Sequence, residues 1–355
     1  MTLLGVTKRC CLIWTLLSLS IVYGIEKKSP LKLYDVPKAM VIYKISGGGV
    51  LSEDVNLSIK GKAKLRFKEW GNVEFLEKEL EETTTGALHY KKEYHLCKKR
   101  QEKQVLDVDF HTKKIHERPL PKGKKRQKIT AGLEPEGQQM VANVVCNMWR
   151  GRGVRRCIYK GIPLFTEYRA LGLLYREEAV DVIFDINITN TSECTIPSFP
   201  VEKFALYTAS FKTKNKKSSA PFEERLKQSI VIFEKKGLKE EKLSPKQKQK
   251  LLNILAEPMY VSQKKMLPNL LKILKKTRVC LSQAGDTTEA NRCMKALVQI
   301  KSYFTDNRDN HIDDWDKERE GVLDAFDEKI GMLQSHMKCI RSAKYFSDLA
   351  TCMKQ

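Results

Sequence analysis

Apolar and polar residues alternate along most of the chain between Lys38 and Arg118, which is the pattern of half-buried β-strands. Glycine-rich breaks separate several of these runs. The pattern predicts strands at 39–48, 54–71, 73–83, 88–99 and 104–120, and again at 162–168 and 173–183. The lysine-rich stretch 121–128, which follows the first group of strands, is predicted as a solvated loop. We therefore expect an antiparallel meander over 25–211.

Helical periodicity replaces the alternation after Phe211. A charged stretch containing serine and proline leads into it and places a boundary near 212–220. Ser244 followed by Pro245 combines an N-cap residue with proline at the first helical position, which is a strong start signal. The pattern predicts helices at 221–236, 246–257, 262–284, 287–303, 312–343 and 346–353.

Together the two patterns predict an α+β fold. An antiparallel β domain at 25–211 is followed by a charged linker with connecting helices at 212–261 and by an all-α domain at 262–355.

An internal repeat marks the predicted helical domain. Residues 280–295 and 339–354 align without a gap and share the pattern Cys-(Leu/Ile)-x-x-Ala-x8-Cys-Met-Lys. In each copy the first cysteine falls about one turn before a helix end, and the second about two turns into the returning helix. The repeat therefore predicts two helical hairpins, each with its own disulfide, Cys280–Cys293 and Cys339–Cys352. The alternative, Cys280–Cys352 with Cys293–Cys339, would break the repeat.

A third disulfide is predicted in the β domain, where two β-rich runs flank Gly151-Arg152. Glycine at the first position suits a two-residue type II′ turn. With that turn, Arg150 faces Gly153 and Cys146 faces Cys157, close enough for a disulfide. Cys97 and Cys194 then pair by elimination. A zinc site is the alternative use of cysteines, but the closely spaced C-x2-4-C pairs it needs are absent.

The first residues indicate export. Lys8 and Arg9 precede a short apolar run that ends near Gly24, the pattern of a cleaved secretory signal peptide at 1–24. An uncleaved anchor is the alternative, although a helical span needs about 20 apolar residues and this run is shorter. The sequence thus predicts a periplasmic or secreted protein with no integral membrane span after cleavage, in which eight cysteines form a disulfide framework.

A family resemblance rests on the region around the predicted hairpin. Its residues are Cys146, Trp149, Cys157, Tyr159, Lys160, Gly161, Pro163 and Leu164. The meander that contains them, roughly 37–210, resembles the LolA/LolB-like lipoprotein-carrier superfamily. It is more closely similar to uncharacterised periplasmic proteins of Campylobacterota. The resemblance implies a curved half-barrel sheet whose concave face holds an acyl chain. The helical cysteine repeat is not a feature of those carriers.

Two asparagines carry an extended glycosylation motif. Asn56 and Asn187 each lie in N-x-(S/T) with an acidic residue two positions earlier. The acidic extension resembles the requirement of the Campylobacter-type periplasmic oligosaccharyltransferase. Ordinary strand residues that match a short motif by chance are the alternative.

The formal net charge of +22 adds a second candidate type of partner. Such a charge favours anionic surfaces, lipid head groups or nucleic acid, although it also serves simply to keep a protein soluble. The segment 264–281 is basic and amphipathic, which suits either an anionic membrane surface or a leucine stripe packed in the core. A polyanion such as DNA or lipopolysaccharide is therefore an alternative partner.

No catalytic pattern stands out. The serine-hydrolase elbow, the phosphate-binding loop, the H-E-x-x-H zinc motif and the C-x-x-C redox pair are all missing. The six histidines are scattered: His89, His95, His111, His116, His311 and His336. We therefore predict a non-enzymatic exported protein that binds a hydrophobic or lipid ligand or an envelope partner. We predict neither a cofactor nor a metal ligand.

Overall fold

A computed structural model describes residues 32–101, 104–110, 113–119, 129–186, 198–203, 220–235, 242–298 and 311–354. These ranges contain an open antiparallel sheet followed by a helical region, which confirms the predicted fold class. Lys32–Gln355 forms one compact unit.

Twelve strands make up the sheet in the described ranges. They are β1 Ala39–Ser52, β2 Val55–Lys68, β3 Val73–Gly86, β4 Tyr90–Gln101, β5 Gln104–Asp109, β6 Lys114–Pro119, β7 Glu134–Val141, β8 Val144–Gly151, β9 Val154–Tyr159, β10 Ile162–Ala170, β11 Leu173–Phe184 and β12 Val201–Lys203. Their spatial order is β12-β6-β5-β4-β3-β2-β1-β11-β10-β9-β8-β7. All neighbours are antiparallel except β12, which runs parallel to β6. The sheet does not close, so β12 and β7 are its two edges.

Strand β7 is absent from the sequence prediction. Its residues, EPEGQQMV, show no alternation, and every one except Val141 is exposed. Because this edge strand buries neither face, its sequence shows no alternation of apolar and polar residues. Its pairing with β8 therefore determines that it forms a strand.

Tight turns join the later strands. Lys160 and Gly161 both have positive φ, +46° and +83°, and together make the two-residue turn between β9 and β10. Two positive φ values are typical of a type I′ hairpin turn, whose twist matches that of the strands.

The segment before β1 forms hydrogen bonds to two turns of the sheet, the β2–β3 turn and the β9–β10 turn. The backbone N–H groups of Leu33 and Tyr34 donate to the carbonyl of Trp70, at the β2–β3 turn. The N–H of Asp35 donates to the carbonyl of Lys160, at the β9–β10 turn. Residues 32–37 therefore link two turns that lie far apart in the sheet order.

Six α-helices follow in the described ranges. They are α1 Phe222–Lys235, α2 Pro245–Leu255, α3 Glu257–Gln283, α4 Thr287–Val298, α5 Trp315–Ser342 and α6 Phe346–Lys354. Ser244 caps α2 with a complete capping box, as its sequence predicts. Pro258 was predicted to stop a helix, but it instead lies in the first turn of α3, where proline loses no helical hydrogen bond.

The helices bury one face each. Phe222, Leu226 and Ile230 of α1 are buried in the same core as the inner face of the sheet, the face that the helices cover. Leu267, Leu270 and Leu274 of α3 are also buried, so the leucine stripe faces the core rather than a membrane. None of the helices in the described ranges has the length and apolar character that crossing a membrane requires.

Candidate functional site

Helix α1 is attached to the inner face of the sheet by a buried ion pair. Arg225 donates from Nη2 to the Oε2 of Glu82 at 2.7 Å, and their side chains are 6% and 1% exposed. The other carboxylate oxygen of Glu82 accepts from the backbone N–H of Phe222 at 2.6 Å. The guanidinium of Arg225 also donates to the carbonyl of Leu255 at the end of α2. One strand carboxylate thus positions the N-terminus of α1 and, through Arg225, the end of α2.

A second group of charges lies beside the first. The Nζ of Lys78 is 2.6 Å from the Oε2 of Glu177 on β11 and 2.9 Å from the Oε2 of Glu223 on α1. Lys227 donates to the other oxygen of Glu223, and the Tyr175 hydroxyl donates to Glu177 at 3.3 Å. These five residues form the Lys78 cluster. It joins β3, β11 and α1 across the inner face.

The electrostatics of the Lys78 cluster keep Glu223 and Lys78 charged. Burial opposes the charge on Glu223, but Lys78 and Lys227 overcome that cost and lower the pKa of this carboxyl to about 2. Burial likewise opposes the charge on Lys78, and Glu177 and Glu223 reverse the effect and raise its pKa. Each carboxylate is engaged by a cation, so the cluster presents no free base and acts as a clamp between helix and sheet.

A cleft of about 790 Å³ lies next to this clamp. It is bordered by β2, β3 and β4, by the end of β5 and by Pro221, directly before α1. Strand alternation places Leu80, Tyr94 and Leu96 on the face that carries Glu82 and α1, and all three residues line the cleft. Gly61, the strand neighbour of Leu80, has no side chain. A Cβ at this position would meet the carbonyl oxygen of Glu79 and, at 3.0 Å, the Cδ2 of Leu80, so β2 and β3 approach closely at this apolar floor of the cleft.

Lys92 is the cation that lines the cleft on the face of α1, whereas Lys60 and Lys62 line it from the opposite face. Its Nζ lies 4.6 Å from the ring centroid of Tyr94, and within the described chain it makes no ion pair. Burial lowers the pKa of Lys92, an effect that the nearby Glu82 partly opposes. Burial raises the pKa of Tyr94, which keeps its hydroxyl neutral and able to donate. Asp109, the cross-strand partner of Leu96, also lines the cleft on this face and opposes the lowering of the Lys92 pKa. The apolar residues and a cation outside any ion pair in the described chain suit an amphipathic anion.

The predicted disulfides lie outside this cleft. The structure contains Cys280–Cys293 between α3 and α4 and Cys339–Cys352 between α5 and α6, with Cα–Cα distances of 5.7 and 5.6 Å. Disulfides are typical of an oxidising, exported environment. Cys97 is disulfide-bonded as well, and Cys194, its predicted partner, lies outside the described residues.

Cys146 and Cys157 are bonded, with a Cα–Cα distance of 5.4 Å, but the predicted register of their hairpin is wrong. The turn is Arg152-Gly153 rather than Gly151-Arg152, and Cys157 lies opposite Met148. The two cysteines are thus diagonal neighbours on one face of the twisted sheet, rather than directly opposed.

The residues on which the resemblance to lipoprotein carriers is based form largely a turn with its flanks. Lys160 and Gly161 form the β9–β10 turn. The Pro163 carbonyl accepts from the hydroxyl of Tyr43 at 2.9 Å, and Leu164 is fully buried. Trp149 is half-buried on β8, and Tyr159 packs its ring 5.6 Å from that of Phe184. None of these six residues lines the cleft.

Of the two glycosylation candidates, only Asn56 lies among the described residues. Asn56 is exposed on β2, close to the β1–β2 turn and paired with Val50 and Thr85. Asn187 lies outside the described residues. Glycosylation of either asparagine stays a prediction.

The alanine of each helical repeat has a defined position. Ala284 and Ala343 end α3 and α5 in extended conformations and are buried. The carbonyl of Ala284 accepts from the indole of Trp315 at 3.1 Å, and that of Ala343 accepts from the hydroxyl of Tyr260 at 2.8 Å. The repeat therefore builds two stapled helix ends whose carbonyls are satisfied by side chains from other helices.

Sequence reasoning missed both charged groups on the inner face and the cleft. The signal is present in β3, where Glu74, Lys78 and Glu82 recur at every fourth residue among inward-facing apolar residues. Strand alternation alone predicts that these charges point inward, but it does not name their partners. Those partners, such as Glu223 and Arg225, come from a helix about 145 residues later.

Comparison with known proteins gives no family. No family model and no curated protein matches the chain. A solved structure, an uncharacterised conserved protein from Thermus thermophilus, is similar with 14% identity and a TM-score of 0.27. The match covers 46% of this chain and 91% of that one. A likeness this weak carries no inference about function.

Proposed function

We propose that this is a non-enzymatic exported protein that binds an amphipathic anion, such as a fatty acid or an acidic lipid, in the cleft over β2, β3 and β4. The observation that carries the proposal is Lys92, a partly buried cation without an ion pair in the described chain, beside an apolar floor. A carboxylate or phosphate on Lys92 would offset its desolvation, and an acyl chain would cover Leu96, which is only half-buried.

The size of the cleft is consistent with such a ligand. Small-molecule sites typically have volumes of roughly 300–1,000 Å³ and pair an apolar lining with a few polar groups. Helix α1 fills the inner face near β10 and β11 with Phe222, Leu226 and Ile230. This packing restricts the ligand to the cleft, so the acyl chain cannot lie along the whole concave face.

Export and location belong to the same proposal. The disulfides support an oxidising compartment. We propose that 1–24 is a cleaved signal peptide and that the mature protein acts in the periplasm or is secreted. An envelope protein that delivers or receives the lipid is the partner this role requires, as the resemblance to lipoprotein carriers suggests.

Displacement of a fluorescent fatty acid from the purified full chain tests the proposal. We expect saturable binding of about one ligand per chain. Lys92→Met should weaken it by roughly ten- to a hundredfold, the value of a charge-assisted hydrogen bond of about 1.5–3 kcal/mol. Lys91→Met is the matched control, because Lys91 pairs with Glu81 and Glu93 on the opposite face. Absence of saturable binding, or equal affinity of the parent and Lys92→Met, would refute the proposal.

A second candidate function rests on α3. Between Pro258 and Gln283 this helix carries six basic residues and no acidic one. Lys265, Lys272 and Lys276 are exposed along one face, suited to a polyanion such as DNA or lipopolysaccharide. Such binding must weaken steeply with salt, and replacing these three lysines by glutamine should flatten that dependence. Affinity that is independent of salt would exclude this role.

A further inference from the structure

Three potential metal ligands come together on the outer face of the sheet, opposite α1. Glu77 and Glu79 alternate along β3, so their side chains lie on one face. His95 of β4 is the direct cross-strand partner of Glu79. Each of the three offers one ligand atom, and these atoms all lie within 4.8 Å of one another.

The histidine is held in place by its neighbours. Its Nε2 lies 3.2 Å from the Oε1 of Glu77. Its ring stacks on Phe110 with centroids 4.2 Å apart and an angle of 7° between the planes. Phe110 in turn packs edge-on against Phe199 at 6.0 Å. The stacking on Phe110 restrains the imidazole plane, with Nε2 on the side of the Glu77 carboxylate.

Lys62 on β2 competes with a metal for one of these carboxylates. Its Nζ is 2.9 Å from the Oε2 of Glu79, but the Lys62 side chain is 72% exposed. An exposed ion pair of this kind is weak and easily exchanged for a stronger cation. Glu77, by contrast, is only 28% exposed and is anchored next to His95.

We propose that Glu77, Glu79 and His95 bind a divalent transition-metal ion of the Zn²⁺ type. One imidazole nitrogen and two carboxylate oxygens are a donor set for such an ion, and they leave a fourth position to water or to a partner. The metal bridges β3 and β4 on the outer face of the strands that border the cleft. It therefore stabilises the part of the sheet between β2 and β5.

Calorimetric titration of the full chain with zinc chloride, after chelator treatment and dialysis, is the test. We expect about one equivalent of saturable binding. His95→Gln and Glu79→Gln should each weaken it by roughly tenfold or more, because even outer-shell changes cost about 10- to 100-fold in metal affinity. Glu81→Gln is the matched control and should bind as the parent does, since Glu81 lies two residues further along the same face of β3.

Cobalt substitution gives an independent readout. We expect a visible absorption band from bound Co²⁺ in the parent and in Glu81→Gln, and loss of that band in His95→Gln. The side chains of His95 and Glu79 are 40% and 49% exposed, and circular dichroism will show that the variants are folded. Zinc binding that His95→Gln leaves unchanged, or no saturable binding by the folded parent, would overturn the proposal. Glu79 and His95 also line the cleft, so fatty-acid binding is tested separately by the Lys92 variant, which keeps all three metal ligands.

Discussion

The carboxyl of Glu223 should make the stability of the protein depend on pH in the acid range. A carboxyl whose pKa is lower in the folded than in the unfolded chain contributes stability above its unfolded pKa. That contribution is lost as the pH falls through the folded value. For Glu223 the window runs from the ordinary value of 4.5 down to about 2.

The magnitude follows from the two pKa values. One pKa unit corresponds to about 1.4 kcal/mol, so the difference between 4.5 and about 2 corresponds to roughly 3 kcal/mol. The source of this energy is the contact of Glu223 with Lys78 at 2.9 Å and with Lys227. Solvent screens the contact with Lys78 little, because only 10% of the Glu223 and Lys78 side chains is exposed. The Lys227 side chain is 39% exposed, so its contact contributes less.

Urea unfolding followed by circular dichroism between pH 7 and pH 2 measures this contribution. Glu223→Gln should be less stable than the parent by a few kcal/mol at pH 7, and the difference should shrink as the pH falls below about 4. Glu224→Gln, at the exposed neighbouring position, is the control and should match the parent at pH 7. A constant difference between the Glu223→Gln variant and the parent across this pH range would refute the electrostatic reasoning.

Three other changes have defined expected costs. Replacing Cys280 and Cys293 together by alanine should lower the free energy of urea unfolding by about 3 kcal/mol, because the bridge closes a loop of 13 residues. Trp315→Phe should cost roughly 1–3 kcal/mol by the same assay, since the carbonyl of Ala284 loses its buried donor. Gly161→Ala should lower the melting temperature in calorimetry, because its φ is +83° and the added methyl would meet a backbone oxygen at 2.9 Å. An unchanged value in any of these assays would contradict the corresponding contact.

The sequence predicts features of this fold that depend on local periodicity. Strands β1 to β4 and the six helices follow from alternation, helical spacing and cap residues. The single strand predicted at 104–120 is wrong, because this run forms two antiparallel strands, β5 and β6. The two C-terminal disulfides follow from a repeat that puts each cysteine pair on either side of one turn between helices. Local patterns of this kind do not identify β7, because that strand buries almost nothing.

The hairpin of β8 and β9 shows how a wrong register can still give the right bond. Moving the turn from Gly151-Arg152 to Arg152-Gly153 changes every cross-strand partner by two residues. A shift of two preserves the face on which each side chain lies, whereas a shift of one would reverse it. Cys146 and Cys157 therefore stay on the same face, and the twist of the sheet brings the diagonal pair within bonding distance.

The metal ligands and the cleft depend on contacts that local patterns do not contain. The register of β3 against β4 sets Glu79 opposite His95, and it sets Leu80 opposite Tyr94 on the other face. A change of one residue in the register of these two strands would separate the three ligands. The same change would also separate the residues that form the floor of the cleft. The proposed metal and the proposed lipid thus depend on the same pairing of β3 with β4.

The buried charges on the inner face fix the position of α1 on the sheet, which apolar packing alone does not do. Phe222, Leu226 and Ile230 could pack on an apolar sheet at several offsets, because hydrophobic contact has no direction. Glu82 accepts from both the first N–H of α1 and the guanidinium of Arg225, and only one placement of the helix satisfies both. Replacing Glu82 or Arg225 alone by an uncharged residue would leave the other charge buried and unpaired, at a cost of about 3–5 kcal/mol. We infer that these buried pairs hold α1 at one position on the sheet, and that this position keeps the cleft over β2, β3 and β4 clear of the helix.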